Sequence, residues 1–237
     1  MPQRPEIRER RRKERRRQRL TFALVVLAAV LVVVAGMLSS RLAPIGEIIQ
    51  ITPQPHPQAE GRQLGDPNAP VLVELFEDFQ CPGCRQFSQS TQPQLIDAYV
   101  ETGQARIVFR VYPFIGPESI QAANASLCAQ EQGRFWDYHD ILFANQRGEN
   151  LGAFSDRRLT AFAEALGLEM GAFESCFDEN RHEAEIAQDQ AAGQAVGVTS
   201  TPTIAVDGQL VSGANPGLIP TFVEISAAIE AALASSP

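Results

Sequence analysis

Two cysteines three residues apart, Cys81 and Cys84, lie directly after an apolar run and directly before a helix-like stretch. The run over residues 71–76 predicts a buried strand. Pro82 suits the first position of a helix, where its missing N–H costs no hydrogen bond. Thiols at this spacing lie on one side of the first helical turn, close enough to form a reversible disulfide. Unpaired N–H groups and the helix dipole also lower the pKa of a cysteine at a helix start below its free value of about 8.5. The chain must therefore fold so that a strand delivers a thiol pair to the N-terminus of a helix.

A cysteine pair of this spacing also occurs as an inert structural disulfide or as half of a zinc site. A zinc site needs four ligands, and the other candidates contain no second close pair: Cys128, Cys176, His139 and His182. We therefore expect no metal site, and nothing in the sequence points to a cofactor. The position of Cys81 and Cys84 between a strand and a helix favours redox chemistry over an inert structural disulfide.

The N-terminus combines a basic segment with an apolar one. Residues 1–19 carry a net charge of +7, and residues 20–38 are apolar except for Thr21 and Gly36. Nineteen helical residues at about 1.5 Å each nearly span the ~30 Å hydrocarbon core. The basic residues favour the cytoplasmic side, so we expect a cytoplasmic segment at 1–19, a transmembrane helix at 20–38 and an extracytoplasmic chain beyond. A cleaved signal peptide is the alternative, but its apolar region is normally about 7–15 residues long, and no cleavage site is evident around residues 35–40.

Beyond the basic segment the chain is strongly acidic. The whole chain has a net charge of −8, which leaves −15 on residues 20–237, where no lysine occurs. This excess of negative charge argues against binding to nucleic acid. Membrane contact is expected only through the N-terminal helix.

Residues 39–62 contain several prolines and glutamines, which predicts a semi-extended tether. Residues 63–237 are enough for one domain with a sizeable core. The apolar spacing predicts, in order, a strand at 71–76, a helix at 84–101, a strand at 106–112, several short helices over 118–196, a hairpin at 203–211 and a helix at 216–233. This is an α/β order, a strand-helix-strand unit followed by a hairpin and a helix, interrupted by an all-helical insertion.

Four stretches in this region carry a resemblance to a known family: GDPNAPV at 65–71, FEDFQCPGC at 76–84, QGRFWDYH at 132–139 and GVTSTPT at 197–203. Together they resemble the DsbA-like thiol-disulfide oxidoreductases, and more closely the membrane-anchored branch of bacteria without a conventional periplasm. The resemblance covers about residues 64–232. It implies a thioredoxin-like fold with a helical domain inserted at about 117–197, preceded by one transmembrane helix. It also implies a single-pass enzyme of the cell membrane that oxidises the thiols of exported proteins.

The roles of the site residues follow from thiol chemistry and from the resemblance. Cys81, at the helix start, is the expected nucleophile that forms a mixed disulfide, and Cys84, one turn further, resolves it. Pro82 and Gly83 complete the motif between them. The resemblance implies a cis peptide bond at Thr201-Pro202 facing the thiols, where the backbone of Thr201 pairs with an extended client segment. It further implies a quinone-linked membrane partner, DsbB-like or VKOR-like, that reoxidises the thiols.

Two positions depart from the best-known members of that family. Those members have His or Tyr before the second cysteine, whereas Gly83 offers only its backbone N–H, so we expect a weaker oxidant. Many relatives also carry an acid six residues before the first cysteine, where this chain has Leu75. Glu74 and Asp78 are then the candidates for a proton relay, with a surface or capping role as the alternative for each.

Cys128 and Cys176 lie 48 residues apart within the helical insertion. An even number of cysteines in an extracytoplasmic domain favours a structural disulfide between them. Two separately buried thiols are the alternative, because a free cysteine packs like a small apolar residue.

Two classes of function are left open by the sequence. One is a thiol-disulfide oxidoreductase acting as an oxidase, with a reductase or isomerase of the same fold as its variant. The other is a non-catalytic binding module whose cysteines form structural disulfides.

Overall fold

The computed structural model describes residues 15, 18–22, 24–36, 44–54, 56–212 and 218–235, which fall into two compact units, Met1–Gly46 and Glu47–Pro237. In the first unit, helix α1 spans Gln18–Gly36 with a mean hydropathy of 2.5. Its length and composition are those of a helix able to cross a membrane. The predicted span of 20–38 ends two residues later, and residues 37 and 38, like most of the basic segment 1–19, lie outside the described residues.

The second unit is built on a five-stranded sheet in the order β1-β3-β2-β4-β5. The strands are β1 (Gln63–Leu64), β2 (Val71–Glu77), β3 (Ala105–Val111), β4 (Thr203–Val206) and β5 (Gln209–Leu210). β2 and β3 are parallel, whereas the other pairings are antiparallel. Since β2 lies at the centre and is covered on both faces, six of its seven residues are buried. Its last residues therefore enter the loop before the cysteines from inside the core.

Helices cover both the crossover and the insertion. They are α2 (Pro82–Leu95, continued by a π-helical segment over Ile96–Val100), α3 (Pro117–Gln130), α4 (Phe135–Ala144), α5 (Asp156–Ala165), α6 (Met170–Asp178), α7 (Glu183–Val196) and α8 (Phe222–Ser235). α2 makes the crossover that the parallel strands β2 and β3 require. The five helices α3 to α7 lie between β3 and β4. The α/β class with an all-helical insertion is thereby confirmed.

Aromatic packing joins the insertion to the sheet. Phe79, in the loop after β2, stacks on Phe109 of β3 with ring centroids 5.4 Å apart, and Phe143 of α4 lies 5.3 Å from the same ring. His139 of α4 lies 4.9 Å from Phe143. All four rings are essentially inaccessible to solvent. Helix α4 is consequently packed against the loop that leads to the cysteines.

Two predicted local features, the hairpin turn and the second pair of cysteines, are present in the structure. Asp207 and Gly208 join β4 and β5 with φ of 47° and 75°, the two positive values that a two-residue hairpin turn of type I′ requires. Within the insertion, Cys128 of α3 and Cys176 of α6 form a disulfide with Cα atoms 5.8 Å apart. The cross-link ties the first helix of the insertion to the fourth.

The segment predicted as a tether to residue 62 differs from that expectation. Residues 44–54 form neither helix nor strand, but from Glu47 onward the chain belongs to the second unit. Ile48 and Ile51 pack against the core, and the ring of His56 lies 5.5 Å from that of Trp136. The cause is that apolar side chains interrupt the polar composition, so docking this stretch buries surface that a free tether would expose to water.

Candidate active site

The loop between β2 and α2 is shaped by Asp78. Its Oδ1 accepts the N–H of Gln80 at 2.8 Å, and its Oδ2 accepts the N–H groups of Phe114 and Ile115 at 2.9 and 3.1 Å. The Asp78 carbonyl accepts the N–H of Cys81 at 2.9 Å. Both oxygens of this buried carboxylate are thus hydrogen-bonded to backbone, which ties the loop after β2 to the loop after β3.

Cys81 occupies the N-cap of α2, with Pro82 in the first turn. Both cysteines are free thiols; Cys84 is fully buried and Cys81 is 8% exposed. The Cys81 Sγ donates to the carbonyl oxygen of Thr201 at 3.2 Å. The hydroxyl of Thr201 is buried and has no hydrogen-bond partner in the described part of the chain, so it is free to donate to a thiolate. The peptide bond between Thr201 and Pro202 is cis.

The two thiols differ sharply in acidity. The pKa of Cys81 is lowered to about 6 against the opposing effect of burial; hydrogen bonding from Cys84 is the largest cause, and Thr201 and the N–H groups of Cys84 and Gly83 contribute to the same net value. Burial raises the pKa of Cys84 well above its usual value of 9.0, and its hydrogen bond to Cys81 adds to that rise. The pair therefore combines a thiolate at neutral pH with a neutral thiol that donates to it.

Gly83 faces Pro202 and Ile219 across the start of α2. A Cβ on Gly83 would lie 3.0 Å from Cδ1 of Ile219 and 3.2 Å from Cδ of Pro202. Such contacts are tighter than most in proteins, so a larger residue requires Ile219 to move. Glycine at this position leaves room for the side chain of Ile219, from the segment before α8.

Sequence reasoning missed Glu77, the last residue of β2. Glu77 is 1% exposed, and neither carboxylate oxygen has a hydrogen-bond partner among the described residues. Burial raises its pKa well above 4.5, and the charge of Cys81 raises it further. A signal was present: side chains two residues apart share one face of a strand, so Glu77 lies on the face of Leu75, the position at which relatives carry an acid.

The two carboxylates predicted as relay candidates are bonded elsewhere. Glu74 forms an ion pair with Arg110 at 2.8 Å, and Asp78 holds the backbone as described above. The structure brings the predicted residues Cys81, Cys84, Gly83, Thr201 and Pro202 together at one site.

A groove of about 380 Å³ runs beside the Thr201-Pro202 loop. Apolar side chains line part of it, including Leu218, which is 64% exposed, and Leu210 of the edge strand β5. Backbone and hydroxyl groups of residues 199–203 line the rest. The groove offers polar and apolar contacts to an extended chain next to Cys81.

A second cluster of sulfur and nitrogen atoms lies in the insertion. Atoms of Cys128, Cys176 and His182 lie within 4.8 Å of one another. Both sulfurs are joined in a disulfide, and metal ions bind thiolates, so this cluster offers His182 alone as a ligand in its oxidised form.

The sequence of this chain is similar to those of several known proteins. The sequence profile of the thioredoxin family matches residues 58–231. The Na(+)/H(+) antiporter NhaA 3 of Salinispora tropica is 34% identical over 175 residues, which is 73% of this chain but 24% of the antiporter. The probable disulfide bond formation protein D of Bacillus cereus is 29% identical over 159 residues, covering 65% of this chain and 72% of that protein. The chain thus spans about a quarter of the antiporter's length and most of the length of the disulfide bond formation protein.

Solved structures show the same fold. Oxidised BdbD from Bacillus subtilis superposes with a TM-score of 0.66 at 24% identity, covering 80% of this chain and 100% of that one. A thioredoxin-like oxidoreductase from Silicibacter pomeroyi gives a TM-score of 0.61 at 28% identity, covering 73% of this chain and 92% of that one.

Proposed function

Because this chain belongs to the thioredoxin family, we propose that it is a membrane-anchored thiol-disulfide oxidoreductase that forms disulfides in exported proteins. The observation that carries the proposal is the asymmetry of the thiol pair, an acidic Cys81 at the helix start above a buried Cys84. Disulfide bond formation proteins among the relatives support the same activity.

The exchange starts from the oxidised enzyme, in which Cys81 and Cys84 share a disulfide. A client thiolate attacks the Sγ of Cys81, a mixed disulfide forms, and Cys84 leaves and takes up a proton. A second client thiolate then attacks the client sulfur of the mixed disulfide and releases Cys81 as a thiolate. The client loses two electrons and the enzyme gains them. A leaving thiol of low pKa leaves faster, so the pKa of about 6 at Cys81 favours the oxidising direction.

Glu77 and Thr201 support the two halves of this cycle. Cys84 leaves into a buried position where charge is costly, and the carboxyl of Glu77, whose pKa burial raises, interacts with both thiols. It is the proton donor and acceptor suited to Cys84. The hydroxyl of Thr201 is available to the Cys81 thiolate, while the groove beside Thr201 accommodates an extended client segment by strand addition.

Helix α1 supplies the anchor in this proposal. The domain from Glu47 onward works outside the membrane, with the N-terminus in the cytoplasm, as the basic residues of 1–19 favour. Reoxidation of the two thiols falls to a quinone-linked membrane protein of the DsbB-like or VKOR-like kind.

The test uses the full chain in membranes or detergent. We expect the Cys84→Ser variant to accumulate mixed disulfides with exported proteins, detected as dithiothreitol-sensitive adducts, because its Cys81 thiolate still attacks disulfides of these proteins and no Cys84 thiol is left to release it. Cys81→Ser is the matched control and should trap none. The wild-type pair, equilibrated with glutathione, should show a potential more oxidising than that of a structural disulfide, which typically lies below about −300 mV.

Each other outcome selects another function. A potential below that limit without trapped partners would indicate a non-catalytic module, and a low potential with trapped partners would indicate a reductase. Trapping by both variants would contradict the assignment of Cys81 as the nucleophile.

A further inference from the structure

The loop that carries Cys81 is held by a side chain from the helical insertion. Gln146 follows α4 and is 6% exposed. Its Nε2 donates to the carbonyl oxygen of Phe79 at 2.7 Å and to that of Cys81 at 3.0 Å. One amide group therefore binds the backbone on both sides of Gln80, immediately before the helix.

The loop also contributes a glutamine, Gln80, which forms hydrogen bonds to the insertion. Gln80 is fully buried; its Nε2 donates to Oγ of Ser119 at 2.8 Å, and its Oε1 accepts the N–H of Asn150 at 2.6 Å. Ser119 lies in α3 and Asn150 in the loop before α5. Residues 79–81 are consequently held by two sets of neutral hydrogen bonds to the insertion, one made by Gln146 and one made by Gln80. The bonds made by Asp78 add to these.

The turn that carries Gln146 is itself fixed. The neighbouring side chain of Asn145 accepts the N–H of Ile49 at 2.8 Å and donates to the carbonyl of Ile49 at 2.9 Å. It also donates to the carbonyl of Ile141 in α4 at 2.9 Å. Asn145 is fully buried and hydrogen-bonded to both Ile49 and Ile141. The backbone turn that carries Gln146 is therefore held in place.

The carbonyl that Gln146 holds belongs to the N-cap residue of α2. That carbonyl also accepts the first helical hydrogen bond, from the N–H of Arg85 at 3.2 Å. The φ and ψ of an N-cap residue decide whether its side chain faces the free N–H groups of the first turn. A rotation of the Cys81 carbonyl away from Gln146 therefore moves the sulfur away from the start of α2 and from the Thr201 carbonyl, which it contacts at 3.2 Å.

We propose that Gln146 is a positioning residue for the nucleophile: it holds the Cys81 backbone so that the sulfur stays at the N-terminus of α2 and against the Thr201 carbonyl. Gln146 acts through the backbone and needs no contact with the sulfur. The proposal rests on the function proposed above only in taking Cys81 as the reactive thiol. It makes the helical insertion part of the redox chemistry, since the thioredoxin core alone does not contain this donor.

The test compares Gln146→Met and Gln146→Glu with Gln132→Met in the reduced full chain. Gln132, on the turn after α3, makes similar bonds to backbone, donating to the carbonyl of Glu169 at 3.1 Å and accepting its N–H at 2.7 Å. It serves as the matched control for the loss of a glutamine between elements of the insertion. The readout is the thiolate absorbance near 240 nm as a function of pH, which does not detect the carboxyl of Glu77.

We expect Gln146→Met to raise the midpoint of the Cys81 titration by about one unit, equivalent to a tenfold loss of thiolate relative to thiol. Gln146→Glu should raise it further, because its carboxylate faces two carbonyl oxygens and adds negative charge near the thiolate. Gln132→Met should leave the midpoint unchanged. Gln146→Asn, one methylene shorter, should also raise the midpoint and provides a second test if the charged variant does not fold.

Unchanged midpoints in the Gln146 variants would overturn the proposal, even if thermal unfolding showed that they were less stable. An equal rise in Gln132→Met would also overturn it, because any loss of packing in the insertion would then suffice. The trapping assay with otherwise wild-type protein decides the proposed function separately. A chain that traps no client but shows the expected order of midpoints keeps the positioning role and loses the oxidase role.

Discussion

Replacement of the buried acid Glu77 should stabilise the reduced protein while it impairs the exchange. Both carboxylate oxygens of Glu77 lack hydrogen-bond partners among the described residues, and a buried polar group without a partner costs about 1–3 kcal/mol. We expect Glu77→Leu, which has no polar group, to recover a stabilisation of that order near pH 4.5 and more at pH 7, where the charge-related penalty is added. A residue that costs stability in this way is typical of a functional site.

The pH dependence separates the charge of Glu77 from its packing. The pKa of this carboxyl is raised in the folded protein above its usual value near 4.5, so the unfolded chain releases the proton first as the pH rises. Below about pH 4.5 both states are protonated, and no charge-related penalty exists. Above it, the wild type should lose about 1.4 kcal/mol per pH unit relative to Glu77→Gln, which cannot ionise, until the folded carboxyl also ionises.

The assay is guanidinium unfolding of the reduced full chain in detergent, followed by fluorescence at several pH values from 4 to 8. Trp136 is the only tryptophan of the chain and is buried in α4, so its emission reports the second unit and not α1. Equal stabilities of wild type and Glu77→Gln at pH 4, with a gap that widens as the pH rises, are expected. A constant gap, or a wild type that is more stable at pH 7, would refute the reasoning.

Three further predictions concern other parts of the molecule. The absorbance of the reduced wild-type thiolate should titrate with a midpoint near pH 6 and disappear in Cys81→Ser; a midpoint above 8 would contradict the assigned acidity. Replacing both Cys128 and Cys176 by alanine opens a loop with a sequence separation of 48 and should lower the free energy of unfolding by about 4 kcal/mol in the chain-entropy treatment. The reduction potential of Cys81 and Cys84 should not change in this variant. A large change would show that the two disulfides are coupled. Asp189→Asn should cost about 3–5 kcal/mol, because this buried carboxylate pairs with two arginines; a loss below 1 kcal/mol would mean that water replaces the pair.

The sequence predicted those features whose cause is local. Pro82 after Cys81 and an apolar run before it predict a strand that ends at a helix start, because the missing N–H and the strand period act within a few residues. The hairpin at Asp207 and Gly208 is predicted for the same reason, since its turn type depends on two residues. The helical insertion was also evident, because apolar residues recur at mostly helical spacing over 118–196.

Features that depend on contacts between distant elements were not predictable in this way. Glu77 was passed over in favour of Glu74 and Asp78, although the two-residue period of a strand places it on the right face. The docking of residues 47–62 depends on Asn145 and on the surface of α4, which lie nearly a hundred residues further along the chain. The prediction of a tether followed from the polar majority of that segment. It gave too little importance to Ile48 and Ile51, which pack against the core.

By itself, the sequence determined the chemistry of this protein: two thiols at a helix start, an apolar helix before the domain, and a loop at Thr201-Pro202 that the family resemblance paired with them. The tertiary structure decided how those thiols are tuned. It placed Ile219 over Gly83, Glu77 beneath the pair and Gln146 against the Cys81 backbone. The physical reason is that thiol identity and helix capping are set by neighbours in the chain. The acidity of a buried thiol, in contrast, depends on groups that only the packing of the insertion against the sheet brings near it.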